Sequence, residues 1–336
     1  MPIESCSRSS KATSKVASRS LGSSGCHVSE IGFGTWGLGG TSQGAVAYGP
    51  TDDAESMAAL RLAHERGVNF FDTADLYGHG HSEAILGRTF AERRASIFLA
   101  TKVGFVGMGS RQDFSPACLD GALTRSLRRL QTDYVDLLQL HSPPLDLLFR
   151  APVILDWLLS AKRSGKARLV GISVRSPDEG LSILRDFTVD AIQVNFNLVD
   201  QRALENGLLH VCAARDVGVI VRTPLCFGFL SGTVGEDDSF ANTDHRSRWS
   251  PAQRRAWARA QDLFESCMAD GTGQTRAQFA LRYCLSQPGV ATVIPGMLTC
   301  AHVEENLAAS GLGALSPESR ETIAEVYRAH TFFLGQ

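Results

Sequence analysis

Three apolar runs of this chain each stop at a side chain able to move or stabilise a proton. Gly67 to Phe71 ends at Asp72, with Tyr77 five residues beyond; Ile97 to Thr101 ends at Lys102; Tyr134 to Leu140 ends at His141. A free phenol titrates at about 10 and is a poor acid or base at neutral pH unless a cation favours its phenolate. Lys102 is that cation, and Asp72 is the partner that holds it in place and keeps it charged. His141, donating from a ring nitrogen, orients and polarises a carbonyl oxygen. The set suits proton transfer to an alkoxide that develops as hydride reaches carbon, with Tyr77 as general acid in reduction and general base in oxidation. No side chain supplies a hydride, so a cofactor must.

Taken singly, each residue has a plainer reading: a solvated Asp or Lys at a strand end, a tyrosine capping a core, a histidine packed beside Pro143-Pro144. What argues for chemistry is their common placement. Apolar runs of this length read as buried strands of a parallel sheet, and the polar groups then stand at the carboxyl ends of three successive strands. That rim is the active-site face of an eight-stranded α/β barrel, whose strands recur every ~30 to 40 residues. The spacings here are 30 residues from Asp72 to Lys102 and 39 from Lys102 to His141. Strand and helix signals alternate along the rest of the chain. Helices are expected over 52–66, 82–92, 115–130, 152–164, 177–187, 202–215, 275–286 and 300–309. Strands begin near Ile31 and end at Phe71, Thr101, Leu140, Ile172, Asn195, Val221 and Ile294. The fold class expected is a single (β/α)8 barrel over residues 19–336, with a hairpin at 19–30 closing its bottom and extra helices at 251–268 and 317–330.

FDTADLYG, LATKVG and LLQLH, in this order and at this spacing, resemble the Asp, Tyr, Lys and His segments of the aldo-keto reductases, and the similarity runs from about Arg19 to about His330. The resemblance implies that Tyr77, Asp72, Lys102 and His141 are the catalytic residues and that the cofactor is NADP(H) or NAD(H). It implies cofactor contacts from Thr35, Trp36 and Asp72 at the ends of the first two strands. Ser173 and Gln193 match residues that hold the nicotinamide carboxamide, although Val174 stands where the family commonly has Asn. Arg222 occupies the place of an aromatic that stacks on nicotinamide. Thr223, Pro224, Leu225, Gly228, Leu230 and Gly232 resemble the loop beside the pyrophosphate, where small residues let backbone N–H groups approach phosphate oxygens. Gly296, His302, Glu305 and Asn306 match the adenosine segment. Gly296 and His302 replace a common Lys and a common Arg, so NADP(H) is expected with reduced discrimination over NAD(H).

The remaining signals bound these expectations. The chain has 336 residues, 43% of them hydrophobic, and a formal net charge of -2, which gives no electrostatic reason to expect nucleic acid or a membrane surface as a partner. No apolar run approaches the ~18 residues of a membrane span. Eight scattered cysteines without a Cys-x-x-Cys pair read as reduced thiols of a cytoplasmic enzyme, with no disulfide framework and no metal site. Residues 1–18, rich in Ser, read as a disordered tail. Gly32 to Gly37 matches G-x-G-x-x-G, but no helix opens there, so it is not a dinucleotide fingerprint. His79 and His81 read as part of a Gly-rich substrate loop in preference to a metal pair, and Cys226 as an inert residue in preference to a redox-sensitive one. The function expected is carbonyl–alcohol interconversion on a small carbonyl or sugar substrate. A sugar dehydrogenase working oxidatively and a cofactor-binding regulatory subunit are the alternatives, and the oligomeric state is open.

Overall fold

The computed structural model describes residues 15–41, 47–107, 111–269 and 271–334. An antiparallel hairpin comes first, β1 (Ser18–Ser20) with β2 (His27–Ser29). Eight parallel strands follow, each hydrogen-bonded to the next in chain order: β3 (Phe33–Gly34), β4 (Phe70–Asp72), β5 (Phe98–Val103), β6 (Val135–His141), β7 (Ala167–Ser173), β8 (Ala191–Asn195), β9 (Gly218–Arg222) and β10 (Val290–Val293). Parallel bridges from Ile31 to Val293 and from Gly34 to Gly296 join the last strand to the first and close the ring. A Cβ on Gly34 would lie 2.6 Å from Ile294 O, so this closure depends on a residue without a side chain. The (β/α)8 architecture is the one the alternating pattern predicts.

The helices are α1 (Asp53–Glu65), α2 (His81–Phe90), α3 (Pro116–Leu130), α4 (Leu145–Arg150), α5 (Val153–Arg163), α6 (Pro177–Asp186), α7 (Arg202–Glu205), α8 (Leu208–Ala214), α9 (Pro251–Leu263), α10 (Arg276–Leu285), α11 (Cys300–Ala308) and α12 (Pro317–Ala329). Their starts follow local chemistry. Asp52, Ser176, Thr275, Thr299 and Ser316 each accept a backbone N–H of the first turn, and proline opens α3, α6, α9 and α12. Most boundaries agree to within a residue or two, and the larger differences have local causes. The helix over 202–215 is two helices, because Asn206 Oδ1 accepts the Leu208 N–H and starts a new cap at Asn206-Gly207. The helices over 82–92 and 251–268 stop at Phe90 and Leu263 and continue as tighter 3-10 turns. The short helix α4 was not expected. Of the tail expected over 1–18, residues 1–14 lie outside the described residues, the Val16 N–H donates to Arg66 O at 3.2 Å, and Ser18 already belongs to the hairpin. No helix among the described residues is long and apolar enough to cross a membrane.

Strand side chains alternate between the two faces of the barrel wall, and that parity positions the site. Phe70, Phe98, Ala100, Leu137, Leu169, Ala191, Ile220 and Ala291 form one buried cluster, plugged by Leu21 and Val28 of the hairpin. Their neighbours Phe71, Leu99, Leu138, Val170, Ile192 and Val219 belong to the larger cluster with the helices. Asp72, Lys102, Gln139, His141, Ser173, Gln193 and Arg222 share the parity of the inner cluster, one or two steps nearer the carboxyl ends. Strand register levels them: Lys102 pairs with Gln139, His141 with Ser173, and Ser173 with Gln193. Ala100, Gly171 and Ala191, lower on the same parity, leave room for the long side chains above them.

The helical layer is equally tight where α2 crosses α3. A Cβ on Gly87 would lie 2.2 Å from Arg129 O and 2.9 Å from Leu130 C, both backbone atoms that cannot move alone. Glycine to alanine in a helix ordinarily stabilises by about 1 kcal/mol. Gly87→Ala should do the opposite, lowering the melting temperature by several degrees, because overpacking costs about 1–3 kcal/mol. A melting temperature equal to or above the parent's would show that the two helices can separate freely.

Candidate active site

Four groups meet at the barrel's carboxyl end. Lys102 Nζ donates to Asp72 Oδ1 at 2.5 Å, to Thr73 O at 2.9 Å and to the Tyr77 hydroxyl at 3.0 Å. The ammonium thus spends all three donors on fixed partners, and both it and Asp72 are fully buried. Gln193 and Gln139 donate to the other oxygen of Asp72 at 2.8 and 3.4 Å. Tyr77 reaches Lys102 from a 3-10 turn after β4, where its N–H donates to Ala74 O. Beneath the turn, Ser82 donates to Thr35 while Ser82 and Thr73 hydroxyls lie 3.0 Å apart, tying β3, β4 and α2 together. His141 stands edge-on to Tyr77 with ring centroids 5.9 Å apart, and Phe105 packs edge-on to its ring at 4.8 Å.

Burial dominates the titration of these groups. It pushes the Tyr77 phenol above its ordinary pKa; the Lys102 charge pulls the other way without overcoming it. The Lys102 charge favours the phenolate, as the sequence predicts, but the resting group is a protonated phenol. Lys102 loses stabilisation of its charge on burial, yet Asp72 and Tyr77 outweigh that loss and raise its pKa. Burial, then Lys102 and Arg222, hold His141 well below the ordinary imidazole value, so it is neutral. His141 Nδ1 is enclosed without a partner.

The residues expected to hold a cofactor form a track from β7 round to α11. Ser173 Oγ, at the end of β7, is enclosed without a partner, as an acceptor or donor awaiting a ligand would be. Gln193 is beside it on β8. Arg222, at the end of β9, donates to Val174 O at 2.9 Å. Thr223 follows at φ 54°, donating to Asn195 Oδ1 at 3.0 Å, and Pro224 and Leu225 lead into a 3-10 loop over Cys226–Ser231. Phe227 and Gly228 in this loop have φ 58° and 92°, Leu230 is buried beneath them, and Gly232 ends it at φ 81°. Within this loop the N–H groups of Cys226, Gly228 and Leu230 donate to Thr223 O, Leu225 O and Leu225 O, which fixes its tight path. Gly296 leaves the track open, since a Cβ there would meet only Tyr48 at 3.8 Å. His302 opens α11 with Nδ1 accepting the Leu298 N–H, Glu305 accepts from Thr275 at 2.5 Å, and Asn306 is buried. Thr35 departs from expectation: its N–H and Oγ1 both serve Asp72 O and its carbonyl serves Ser82, so its polar atoms are spent inside the fold. The enclosed, unpartnered Ser173 Oγ and the open space at Gly296 would suit a nicotinamide dinucleotide.

A family model for the aldo/keto reductases matches residues 30–328. This chain belongs to the aldo/keto reductase family. L-galactose dehydrogenase of Arabidopsis thaliana is 31% identical over 322 residues, covering 93% of each chain. An NADH-specific methylglyoxal reductase of Escherichia coli (strain K12) is 30% identical over 311 residues, covering 86% of this chain and 92% of its own. The holo form of the aldo-keto reductase AKR11C1 from Bacillus halodurans superposes with a TM-score of 0.77 at 30% identity, over 94% of this chain and 98% of that one. Family members are oxidoreductases that work on carbonyl groups with a nicotinamide cofactor.

Within this family frame, several neighbours of the four central groups are visible only in three dimensions. Gln139 could have been found from the period of β6, two residues before His141 on the same face. The cover of the mouth could not. The chain at Ala47 and Tyr48 bridges to Asp244, and the His245 N–H donates to Ala47 O at 2.7 Å, so the loop after β9 crosses to the loop after β3. At this crossing Trp36 packs edge-on to Tyr48 at 4.9 Å and to His245 at 5.0 Å, His245 packs edge-on to Trp249, and Phe227 lies tilted against His245. Burial, then Arg248, lowers the His245 pKa to about 4, keeping it a neutral member of that packing. Of the two histidines expected at the substrate loop, His81 instead pairs with Asp53 of α1 at 2.8 Å. Among the described residues no group of three or more His, Cys, Asp or Glu could hold a metal. Burial pushes the Cys226 thiol well above its usual value, which disfavours a reactive thiolate.

Asp75, between Asp72 and Tyr77, behaves unlike the other carboxyls among the described residues. Burial, with the Glu83 charge adding to it, raises its pKa to about 8, against the opposing pull of Arg129 and the N–H groups of Leu76 and Gly104. Its Oδ1 has no partner, and Glu83 is itself committed to Thr101 and Arg129. The folded state therefore holds a proton that the unfolded chain releases at about pH 4, so stability should fall as pH rises from about 4 to about 8 and level off above. Asp75→Asn removes that term. Its melting temperature should exceed the parent's at pH 8 and should depend less on pH between 5 and 8; equal slopes in both proteins would refute the buried proton.

Proposed function

We propose that this protein interconverts a small carbonyl compound and the corresponding alcohol by hydride transfer with a nicotinamide cofactor. The observation that carries the reading is the 3.0 Å contact between Lys102 Nζ and the Tyr77 hydroxyl, with the ammonium itself fixed by Asp72 at 2.5 Å. A reduced nicotinamide, bound along the track from Ser173 to Asn306, supplies the hydride. The substrate carbonyl oxygen sits between Tyr77 and His141, whose neutral ring donates a hydrogen bond and polarises it. As negative charge grows on that oxygen, the Tyr77 hydroxyl gives up its proton, and the phenolate left behind is stabilised by Lys102. In the oxidative direction the same groups act in reverse, the phenolate taking the alcohol proton. Both directions pass through one transition state, so cofactor supply decides which one runs.

The cofactor read here is NADP(H), with NAD(H) also accepted. No Lys or Arg stands between Gly296 and His302, and the nitrogen of His302 that faces the backbone is already engaged. Each charge-assisted bond to a 2'-phosphate contributes about 1.5–3 kcal/mol, roughly 10- to 100-fold in affinity, and the segment lacks them. Fluorescence titration of NADPH and NADH should therefore give dissociation constants within about tenfold of each other, closer still in His302→Ala. A preference of several hundredfold that survives the substitution would mean that a cation elsewhere reaches the phosphate.

The proton donor is tested by Tyr77→Phe, which removes one oxygen from a residue whose ring stays packed. Turnover of its best aldehyde or ketone should drop by ~10²- to 10⁴-fold or more while the NADPH dissociation constant holds. Near-normal turnover would exclude Tyr77 as the acid.

A further inference from the structure

The Tyr77 hydroxyl is fixed by a hydrogen bond from the Lys102 ammonium, whereas the ring of His141 has no such anchor on its Nδ1 side. A working imidazole is ordinarily aimed by the group that its second nitrogen meets. Here Nδ1 is enclosed without a partner, and the ring is held by edge-on packing, Phe105 at 4.8 Å and Tyr77 at 5.9 Å. The rest of its aim must come from the main chain that carries it. His141 ends β6, and Ser142 after it lies at φ 54°, a left-handed conformation that a residue with a side chain rarely adopts.

One side chain meets both of these residues. Gln112 Nε2 donates to His141 O at 2.9 Å and to Ser142 O at 3.1 Å. Arg175 completes the clamp, donating to Ser142 O at 3.0 Å and to Gln112 Oε1 at 2.8 Å. Carbonyls only accept and a guanidinium only donates, so the amide fits in one orientation and both its ends are engaged. Gln112 also belongs to the loop that supplies Phe105. The two form an antiparallel bridge, flanked by hydrogen bonds from the Val106 N–H to Arg111 O and from the Asp113 N–H to Gly104 O, both at 3.0 Å. One limb of this short ladder packs on the His141 ring, and the other holds the backbone of the same residue.

We propose that Gln112 is a positioning residue for the reaction: by holding the His141 and Ser142 carbonyls it sets where the His141 imidazole meets the substrate oxygen. This deepens the carbonyl–alcohol reading above and rests on it. Gln112 itself touches neither substrate nor cofactor; it acts through the histidine.

Gln112→Met removes both donors at nearly constant volume. Its kcat for reduction of the best aldehyde or ketone should fall by about 10- to 100-fold, the scale on which a misplaced group is felt, while the NADPH dissociation constant holds. Gln112→Glu keeps the Arg175 partner but loses the donors, so it should lose as much, and it carries the comparison if thermal melts show the methionine variant unfolded. A glutamine that only braces the loop would act independently of the histidine. One that works through it should add no more than about a twofold loss in a His141→Ala background. Nitrogen NMR of isotope-labelled histidine, with the His141 signals identified by their absence from His141→Ala, should show those signals shifted or broadened in Gln112→Met. Undiminished kcat in either Gln112 variant overturns the proposal, and so do additive losses in the double variant or unchanged His141 signals. If wild type turns over no aldehyde or ketone with either cofactor, the carbonyl–alcohol reading fails, and the histidine spectra still decide whether Gln112 fixes the ring.

Discussion

The buried ion pair between Lys102 and Asp72 is the constraint around which the barrel mouth is built. Both groups have left water completely, and an ammonium in such a place stays charged only if its partner and every one of its donors are satisfied. That requirement explains the convergence of Thr73 O, Tyr77, Gln139 and Gln193 on two atoms of charge. The pair therefore couples a structural demand, satisfying a buried charge, to a chemical one, stabilising a phenolate only while it exists.

Electrostatics in the mouth is set by burial first and by neighbours second. Burial keeps Tyr77 protonated and His141 neutral at rest, which are the states a proton donor and a hydrogen-bond donor need in carbonyl reduction. Lys102 changes the cost of losing the phenol's proton without removing it beforehand. Asp75 shows the same hierarchy: three residues from Asp72, a carboxyl of the same type is held protonated because burial and the Glu83 charge outweigh the pull of Arg129.

The sequence was most legible where local chemistry and period agree. The runs that form β4, β5 and β6 stop at Asp72, Lys102 and His141, so these strand ends could be placed without a structure. Helix starts were legible through Asp52, Ser176 and Thr275, which carry their own capping chemistry. Legibility failed where the cause is a short local competition or a distant contact. The helix over 202–215 keeps its apolar pattern through Asn206-Gly207, but a new cap forms there. Leu145–Arg150 is too short to show a period. The crossing of Ala47 and His245 joins residues about two hundred positions apart, and no pattern in either loop announces the other. Thr35 matched a family position, yet its hydrogen bonds are all internal, which only the packing of Ser82 reveals.

The parity that puts the functional side chains on one face has a consequence for how such a chain can diverge. Because alternation along a strand has a period of two, deleting one residue within β5 or β6 would exchange every inward group for an outward one: Lys102 would trade places with an apolar neighbour, and a charge would enter the packing beneath the helices. Length changes are thus forbidden in the strands and free in the loops that leave their carboxyl ends. The inward polar groups are held in a rigid register, whereas the loops carrying Tyr48, Phe105 and His245 can lengthen, shorten and change composition around it. The rim can be remodelled by insertion and deletion while the buried cluster of Asp72, Lys102 and Tyr77 beneath is left unchanged.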